Sequence, residues 1–310
     1  MGLQCAGCGH TFDSENGIPL MFWPNDWDSQ KDVTEVVKSF YEEILFPRYD
    51  EMDSGWNLRR KAEQGIFARL LDEQMPINAK ILDVGCGTGQ LSNFLGMKWG
   101  RTVFGADMSL NSLKLGQRFK QENGIDNAAF VHMNLFRPVF VPESFDLVIS
   151  NGVLHHTSDP FGGFQSISRL VKSGGYLVVG LYNKYGRIPT DLRRLVFKLS
   201  GNRLKFLDRR MNTEGLSDQR KHAWFMDQYK HPHESKHTIG EVLNWFERTG
   251  YEFVNSIPKA TAFDSFSASE KLFDTHPAGT RFDHFVAQAG LLLGGGKEGG
   301  FFVMIGRKNI

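Results

Sequence analysis

The 310-residue chain is poor in cysteine, carries no surplus of either charge and has no long apolar run. Its three cysteines cannot build a disulfide framework, which removes the small secreted scaffolds from consideration. Thirty-six Lys and Arg against 35 Asp and Glu leave +1, so net charge gives no argument for a nucleic-acid partner. No stretch approaches the ~18 consecutive apolar residues of a membrane span. The opening MGLQCAGCGH lacks the basic-then-apolar order of a secretory signal. Repeats and low-complexity tracts are missing too. What is present, 41% apolar and 13% aromatic residues, is enough for a sizeable core. The expectation is a cytoplasmic globular protein with no membrane partner, built as one large or two small domains.

From about residue 79 the chain alternates strand and helix patterns, which predicts an α/β fold. Short apolar runs with strand character stand at 80–84, 102–106, 128–133, 145–150 and 176–181. Thr238 and Glu241 form a capping box that opens a helix running to Thr249, and Gly250 closes it. Strands at 251–257 and 300–306 follow. Three segments fall outside the alternation: 1–78, with helical runs around 30–46 and 57–74; 183–237; and 259–299. Ligands of open α/β sheets bind at the carboxyl ends of the parallel strands. The 183–237 insertion begins and ends at that edge, and so does 259–299 if the last strand is antiparallel. Both are predicted to be lids. Charge is uneven as well. Residues 1–60 hold eleven acids and five bases, while 184–236 hold thirteen bases and six acids, which suits either a solvated face or a funnel for an acidic ligand.

The most informative stretch is Ile81-Leu-Asp-Val-Gly-Cys-Gly-Thr-Gly-Gln90, a buried strand entering a glycine turn that opens a helix. Gly85, Gly87 and Gly89 let the backbone approach a ligand closely. A dinucleotide fingerprint would need glycine where Gln90 stands. Asp83, two residues before the first glycine, would repel a pyrophosphate but attract an ammonium or a sulfonium. Asp107 ends the second strand, eighteen residues beyond Gly89, where it can accept ribose hydroxyls.

These residues resemble the class I S-adenosylmethionine-dependent methyltransferases, particularly the quinone-biosynthesis-like group. Further matches are Phe145-Asp-Leu-Val-Ile-Ser-Asn-Gly-Val-Leu-His-His156 and Leu170-Val-Lys-Ser-Gly-Gly-Tyr176. The resemblance covers about 79–182 and resumes at 238–308. It implies a Rossmann-like, seven-stranded mixed sheet, mostly parallel with the last strand antiparallel, elaborated by N-terminal helices and the two insertions. The domain plan is then a zinc-ribbon-like segment (1–27), a helical cap (28–78), the cofactor-binding core (79–182), a lid (183–237) and the end of the core (238–310), with 259–299 inserted. By the same resemblance S-adenosylmethionine is the cofactor and S-adenosylhomocysteine its product. Gly85, Cys86, Gly87 and Gly89 would hold the methionine end with Asp83 steering its amino group, Asp107 would bind the ribose and Met108 would pack on the adenine. Asn134 and Leu135 stand where the family often has an acid contacting the adenine amino group, Asn151 and Val153 would line the transfer channel, and Tyr41 or Tyr49 would close over the cofactor.

Methyl transfer is an in-line displacement that needs a base only for an acceptor holding its proton tightly. His155, His156 and Tyr182, with Asn183 beside it, are candidates at the strand ends. A second group is Asp227, His231, His233, Glu234 and His237, five acid/base residues within eleven positions. It suits substrate contact or proton transfer, loop structure or, least well, a metal, because Pro232 breaks the helical spacing. Tyr185, Arg187, Arg193 and Arg194 could hold a carboxylate or phosphate. Cys5 and Cys8, near His10, make half a zinc knuckle with no second half, so no metal is expected. The expected activity is O-, N- or C-methylation of a small polar or anionic metabolite. Methylation of RNA or protein, and a non-catalytic cofactor-binding subunit, are the alternatives.

Overall fold

The computed structural model describes residues 3–4, 9–27, 32–47, 49, 52, 54–293 and 300–310. Cys5 and Cys8, and with them the half-knuckle, lie outside the described residues.

Seven strands form the central sheet: β1 (Lys80–Val84), β2 (Thr102–Asp107), β3 (Ala128–His132), β4 (Phe145–Asn151), β5 (Val171–Tyr182), β6 (Tyr251–Ile257) and β7 (Phe301–Lys308). Their spatial order is β6-β7-β5-β4-β1-β2-β3. All pairs from β5 to β3 are parallel, and β7 runs antiparallel to both neighbours. This is the Rossmann-like mixed sheet expected. The central strands are apolar on both sides, as a sheet covered by two helical layers requires. Ile81, Leu147, Ile149 and Val178 pack toward one layer, and Leu82, Val148, Leu177 and Val179 toward the other.

The helices are α1 (Thr34–Glu43), α2 (Gly55–Gln64), α3 (Ile66–Gln74), α4 (Gln90–Gly96), α5 (Leu110–Glu122), α6 (Pro160–Ser168), α7 (Ile188–Leu199), α8 (Asp218–Lys230), α9 (Ile239–Thr249) and α10 (Arg281–Leu293). Side chains select several of their starts. Ser109 caps α5, Asp159 caps α6, Ser217 caps α8, and Thr238 with Glu241 completes the capping box of α9.

The N-terminal segment is woven into the core. Leu20 bridges His132 at the free edge of β3, and buried Ile18 joins a cluster with Leu113 and Phe130. α1 docks on the start of α5: both carboxylate oxygens of Glu42 accept backbone N–H groups of Leu110 and Asn111 (2.7 and 3.1 Å). An acid there also meets the positive end of the α5 dipole.

The insertions take different paths. The 183–237 segment starts from the carboxyl edge with α7, returns through α8, and is closed by a bridge between Asn183 and His237. The 259–293 segment departs from expectation. It descends beside α3, where Gln74 bonds the backbone of Glu270 and Leu272, and comes back with α10 packed on α9. Fixing its two ends at the carboxyl edge did not fix the route between them.

Candidate active site

A cavity of about 680 Å³ opens at the carboxyl edge of β1, β2, β4 and β5. One wall is the glycine turn. Gly85, Gly87 and Gly89 all adopt positive φ (72°, 55° and 72°), and Gly89 caps α4 in the left-handed region. Gly85, Cys86 and Gly87 line the cavity. Gly89 does not, since it stands against the Phe130 ring, where a Cβ would come within 2.3 Å.

Asp107 at the end of β2 ties the turn in place. One carboxylate oxygen accepts the Gly87 N–H (2.7 Å) and the other the Ser109 N–H (2.8 Å). Its enclosed setting raises its pKa against those hydrogen bonds. Asp83 accepts the Ser92 hydroxyl (2.7 Å). Burial lifts its pKa to about 7, opposed by Ser92 and reinforced by the nearby Asp107 charge. A cation placed beside Asp83 would reverse that shift.

Met108, Asn134, Leu135, Asn151 and Val153 also line the cavity. The Asn134 amide donates to the Trp23 carbonyl and to Asn25, and its oxygen accepts the Phe136 N–H (3.1 Å). The N-terminal segment therefore fixes the orientation of this side chain.

α1, α2 and the lid complete the enclosure. Tyr41 reaches over the cavity and donates its hydroxyl to Asp227 on α8 (2.9 Å), so cap and lid meet. Tyr49 stays in the core, stacked on Phe119 and accepting a hydrogen bond from Asn93. Gln228 donates to Tyr182 Oη (2.7 Å) and to Asp227 (2.9 Å). Burial raises the pKa of Asp227, Tyr41 and Tyr182.

The histidines divide. His156 lines the cavity. Its Nδ1 lies 2.9 Å from the His233 carbonyl, which can only accept, so Nδ1 carries a proton. Burial drives its pKa down to about 4, the carbonyl opposing, and the neutral ring then keeps its lone pair on Nε2. His231 packs on His156 with ring centroids 3.6 Å apart and planes tilted by 30°, and donates its Nδ1–H to the same carbonyl (2.6 Å); burial lowers its pKa to about 3.

None of the histidines of the predicted His231–His237 run lines the cavity; His231 reaches it only through its contact with His156. His233 contributes its carbonyl, while its ring is not among the lining residues. His237 turns away to Glu241 (2.9 Å) and Trp245, because the bridge to Asn183 sets its direction. His155 is fully buried against His156 and Tyr182, both ring nitrogens lack hydrogen-bond partners among the described residues, and it too lies outside the lining.

Several of the lid's bases are paired within it. Buried Glu234 holds Arg187 (2.7 Å) and Arg194 (2.9 Å), and Asp191 holds Lys236 (2.5 Å). Against the desolvation of burial, those two arginines pull Glu234 down to about 2. The lid residues that reach the cavity are Arg210, Trp224, Asp227 and Gln228. Of these the sequence singled out only Asp227; the other three carried no signal beyond lying on or near an amphipathic helix. Within 259–293 no residue lines the cavity. Among the described residues no group of three or more His, Cys, Asp and Glu side chains is arranged to hold a metal.

Comparison with known proteins agrees with this geometry. The family described as "Methyltransferase domain" matches residues 82–179, from β1 to β5. An uncharacterized protein of Synechococcus is 25% identical over 72% of this chain and 60% of its own length. The ubiquinone biosynthesis O-methyltransferase of Paracidovorax citrulli is 34% identical over 37% of this chain and 48% of its own. The chain thus spans about half the length of the curated relatives it matches. The structure of PKMT2 from Rickettsia typhi, solved in complex with AdoHcy, superposes with a TM-score of 0.57 at 17% identity, covering 80% of this chain and 54% of that one, which is a likeness of fold. Sheet order, glycine turn and family match together identify a class I S-adenosylmethionine-dependent methyltransferase domain in this chain.

Proposed function

We propose that this protein transfers the methyl group of S-adenosylmethionine to an oxygen or nitrogen of a small polar molecule held between the glycine turn and the lid. The observation that carries the reading is that one cavity joins Asp83, Asp107 and the glycine turn to His156, Tyr182 and Asp227. At about 680 Å³ it falls inside the roughly 300–1,000 Å³ range of small-molecule sites, which suits a cofactor with a compact acceptor better than a macromolecule.

The cofactor fits the donor set. Asp107 keeps lone pairs for the ribose hydroxyls, Gly85, Cys86 and Gly87 bring backbone close to the methionine end, and Asp83 supplies the charge an ammonium needs. Met108 would pack on the adenine, with Asn134 and Leu135 placed to meet its amino group, Asn151 and Val153 would line the transfer channel, and Tyr41 would close over the cofactor. When bound, S-adenosylmethionine supplies an electrophilic methyl on a sulfonium. The chain's task is to hold the acceptor in line and exclude water. His156 Nε2, the lone-pair nitrogen, can accept the acceptor's proton as a general base. Tyr182, whose oxygen receives the Gln228 N–H, remains a donor that can orient the acceptor. Arg187 and Arg194 are held by Glu234 and do not line the cavity, whereas Arg210 does, which leaves the acceptor polar or anionic.

The test is product mass spectrometry over a panel of hydroxy and amino metabolites. Once an acceptor is found, His156→Ala should lower turnover ~10²–10⁴-fold and leave cofactor affinity nearly unchanged. Normal turnover in that variant would remove the base from the mechanism. Cofactor binding with no methylated product from any acceptor would favour a non-catalytic binding subunit.

A further inference from the structure

The lid carries an apolar face that no described part of the fold covers. On α7, Ile188, Leu192, Leu195 and Leu199 recur at the four-three-four spacing of one helix face and are 39%, 61%, 54% and 79% exposed. The opposite face is the one that packs: Phe197 is buried with Phe225 and Tyr229. Phe206 and Leu207 extend the exposed set in the short turns that follow. Scattered exposed leucines are ordinary, but a continuous stripe along one helix face is not.

The charge around the stripe has one sign. Residues 184–213 contain nine Lys and Arg and two acids, Asp191 and Asp208. Both acids are engaged within the lid, Asp191 with Lys236 and Arg194, Asp208 with Tyr229 and Arg193. Lys184, Lys198, Arg203 and Arg209 are exposed. A leucine face rimmed by exposed bases is the composition of a helix lying in the interfacial layer of an anionic membrane.

We propose that α7 and the turns through Asn212 dock this protein on the surface of an anionic lipid bilayer. A second copy of the chain would bring two such basic segments together, and nucleic acid would leave the leucines without a role. The sequence-based expectation of no membrane partner rested on the lack of a spanning run. That criterion does not address an interfacial helix, and no described helix is long and apolar enough to cross. Charge brings the face to the lipid and the leucines enter the acyl boundary, so both components should be separable by mutation.

The experiment is sedimentation of the full chain with large vesicles, either phosphatidylcholine alone or with about a third phosphatidylglycerol. Wild-type protein should pellet with the mixed vesicles, much less with phosphatidylcholine, and less again at high salt. The Leu192→Glu, Leu195→Glu double variant should lose about tenfold or more in partitioning while melting temperature and S-adenosylhomocysteine affinity stay at wild-type values. Lys198→Gln with Arg203→Gln and Arg209→Gln should weaken binding to the mixed vesicles alone. Absence of wild-type binding would overturn the proposal, as would a leucine variant that binds equally well. Light scattering showing a dimer that the leucine variant dissolves would assign the face to a second copy instead.

Discussion

The glycine turn and the N-terminal cap are in backbone contact, and Gly87 is where that contact can be measured. A Cβ on Gly87 would lie 2.4 Å from the Phe46 carbonyl oxygen, and its φ is +55°. Two penalties follow for Gly87→Ala. The left-handed backbone costs an L-residue ~1–2 kcal/mol. Overpacking adds ~1–3 kcal/mol, because the blocking atom is main chain and the whole 46–47 segment must shift. The sum is about 2–5 kcal/mol, which lowers the melting temperature by roughly 3–8 °C in a chain of this size. Phe46 and Pro47 also wall the cavity. If about 1.4 kcal/mol of the strain is relieved by lifting the cap and returns on closure, S-adenosylhomocysteine affinity falls tenfold. Gly201→Ala is the matched control: its φ is +59° and nothing lies within 4 Å of the new Cβ. It should show the backbone penalty alone and wild-type affinity. Scanning calorimetry and titration of both variants separate the two contributions. A Gly87→Ala protein no worse than Gly201→Ala would refute the idea that the cap seats on the turn.

Other outcomes follow from single groups. Asp107→Asn can satisfy only one of the Gly87 and Ser109 N–H groups and turns an NH₂ toward the other, so stability should fall about 1–3 kcal/mol and S-adenosylhomocysteine affinity ~30-fold or more by titration. Asp83, at about 7 without ligand, must lose its proton to pair with a ligand ammonium. Cofactor affinity should therefore rise with pH, up to tenfold per unit below about 7, and level off above it, a dependence Asp83→Asn should abolish. His156, at about 4, is already unprotonated at neutral pH, so single-turnover rates should show no acidic limb near 6.5 and one nearer 4.

Some of this was legible in the sequence for definite physical reasons. A strand that must turn sharply into a helix against a ligand needs glycines at fixed spacing, so Gly85–Gly89 and Asp107 declared the site. Thr238 and Glu241 declared the start of α9, because a capping box is local chemistry. Tertiary partners were less legible. The bases of 184–236 read alike in the sequence, and only the fold shows Glu234 closing on Arg187 and Arg194. The histidine run reads as an acid/base cluster until Pro232 and the Asn183–His237 bridge split it, leaving His231 beside His156 and His237 on Trp245. Gln228 and Trp224 reach the cavity through the rotation of α8, which periodicity alone leaves undetermined. Likewise, the route of 259–293 depends on where Gln74 and α9 offer partners, and no local signal encodes that.

The central claim is that the wall built by Asp83, Gly85–Gly89 and Asp107 holds S-adenosylmethionine. Calorimetric titration of the purified full-length chain with S-adenosylmethionine, repeated with S-adenosylhomocysteine, tests it most directly. The expected result is saturable one-to-one binding of both, weakened strongly and in parallel by Asp107→Ala, with ATP and NAD giving no heat. Absence of saturable binding in a folded protein, or equal affinity in wild type and Asp107→Ala, would contradict it.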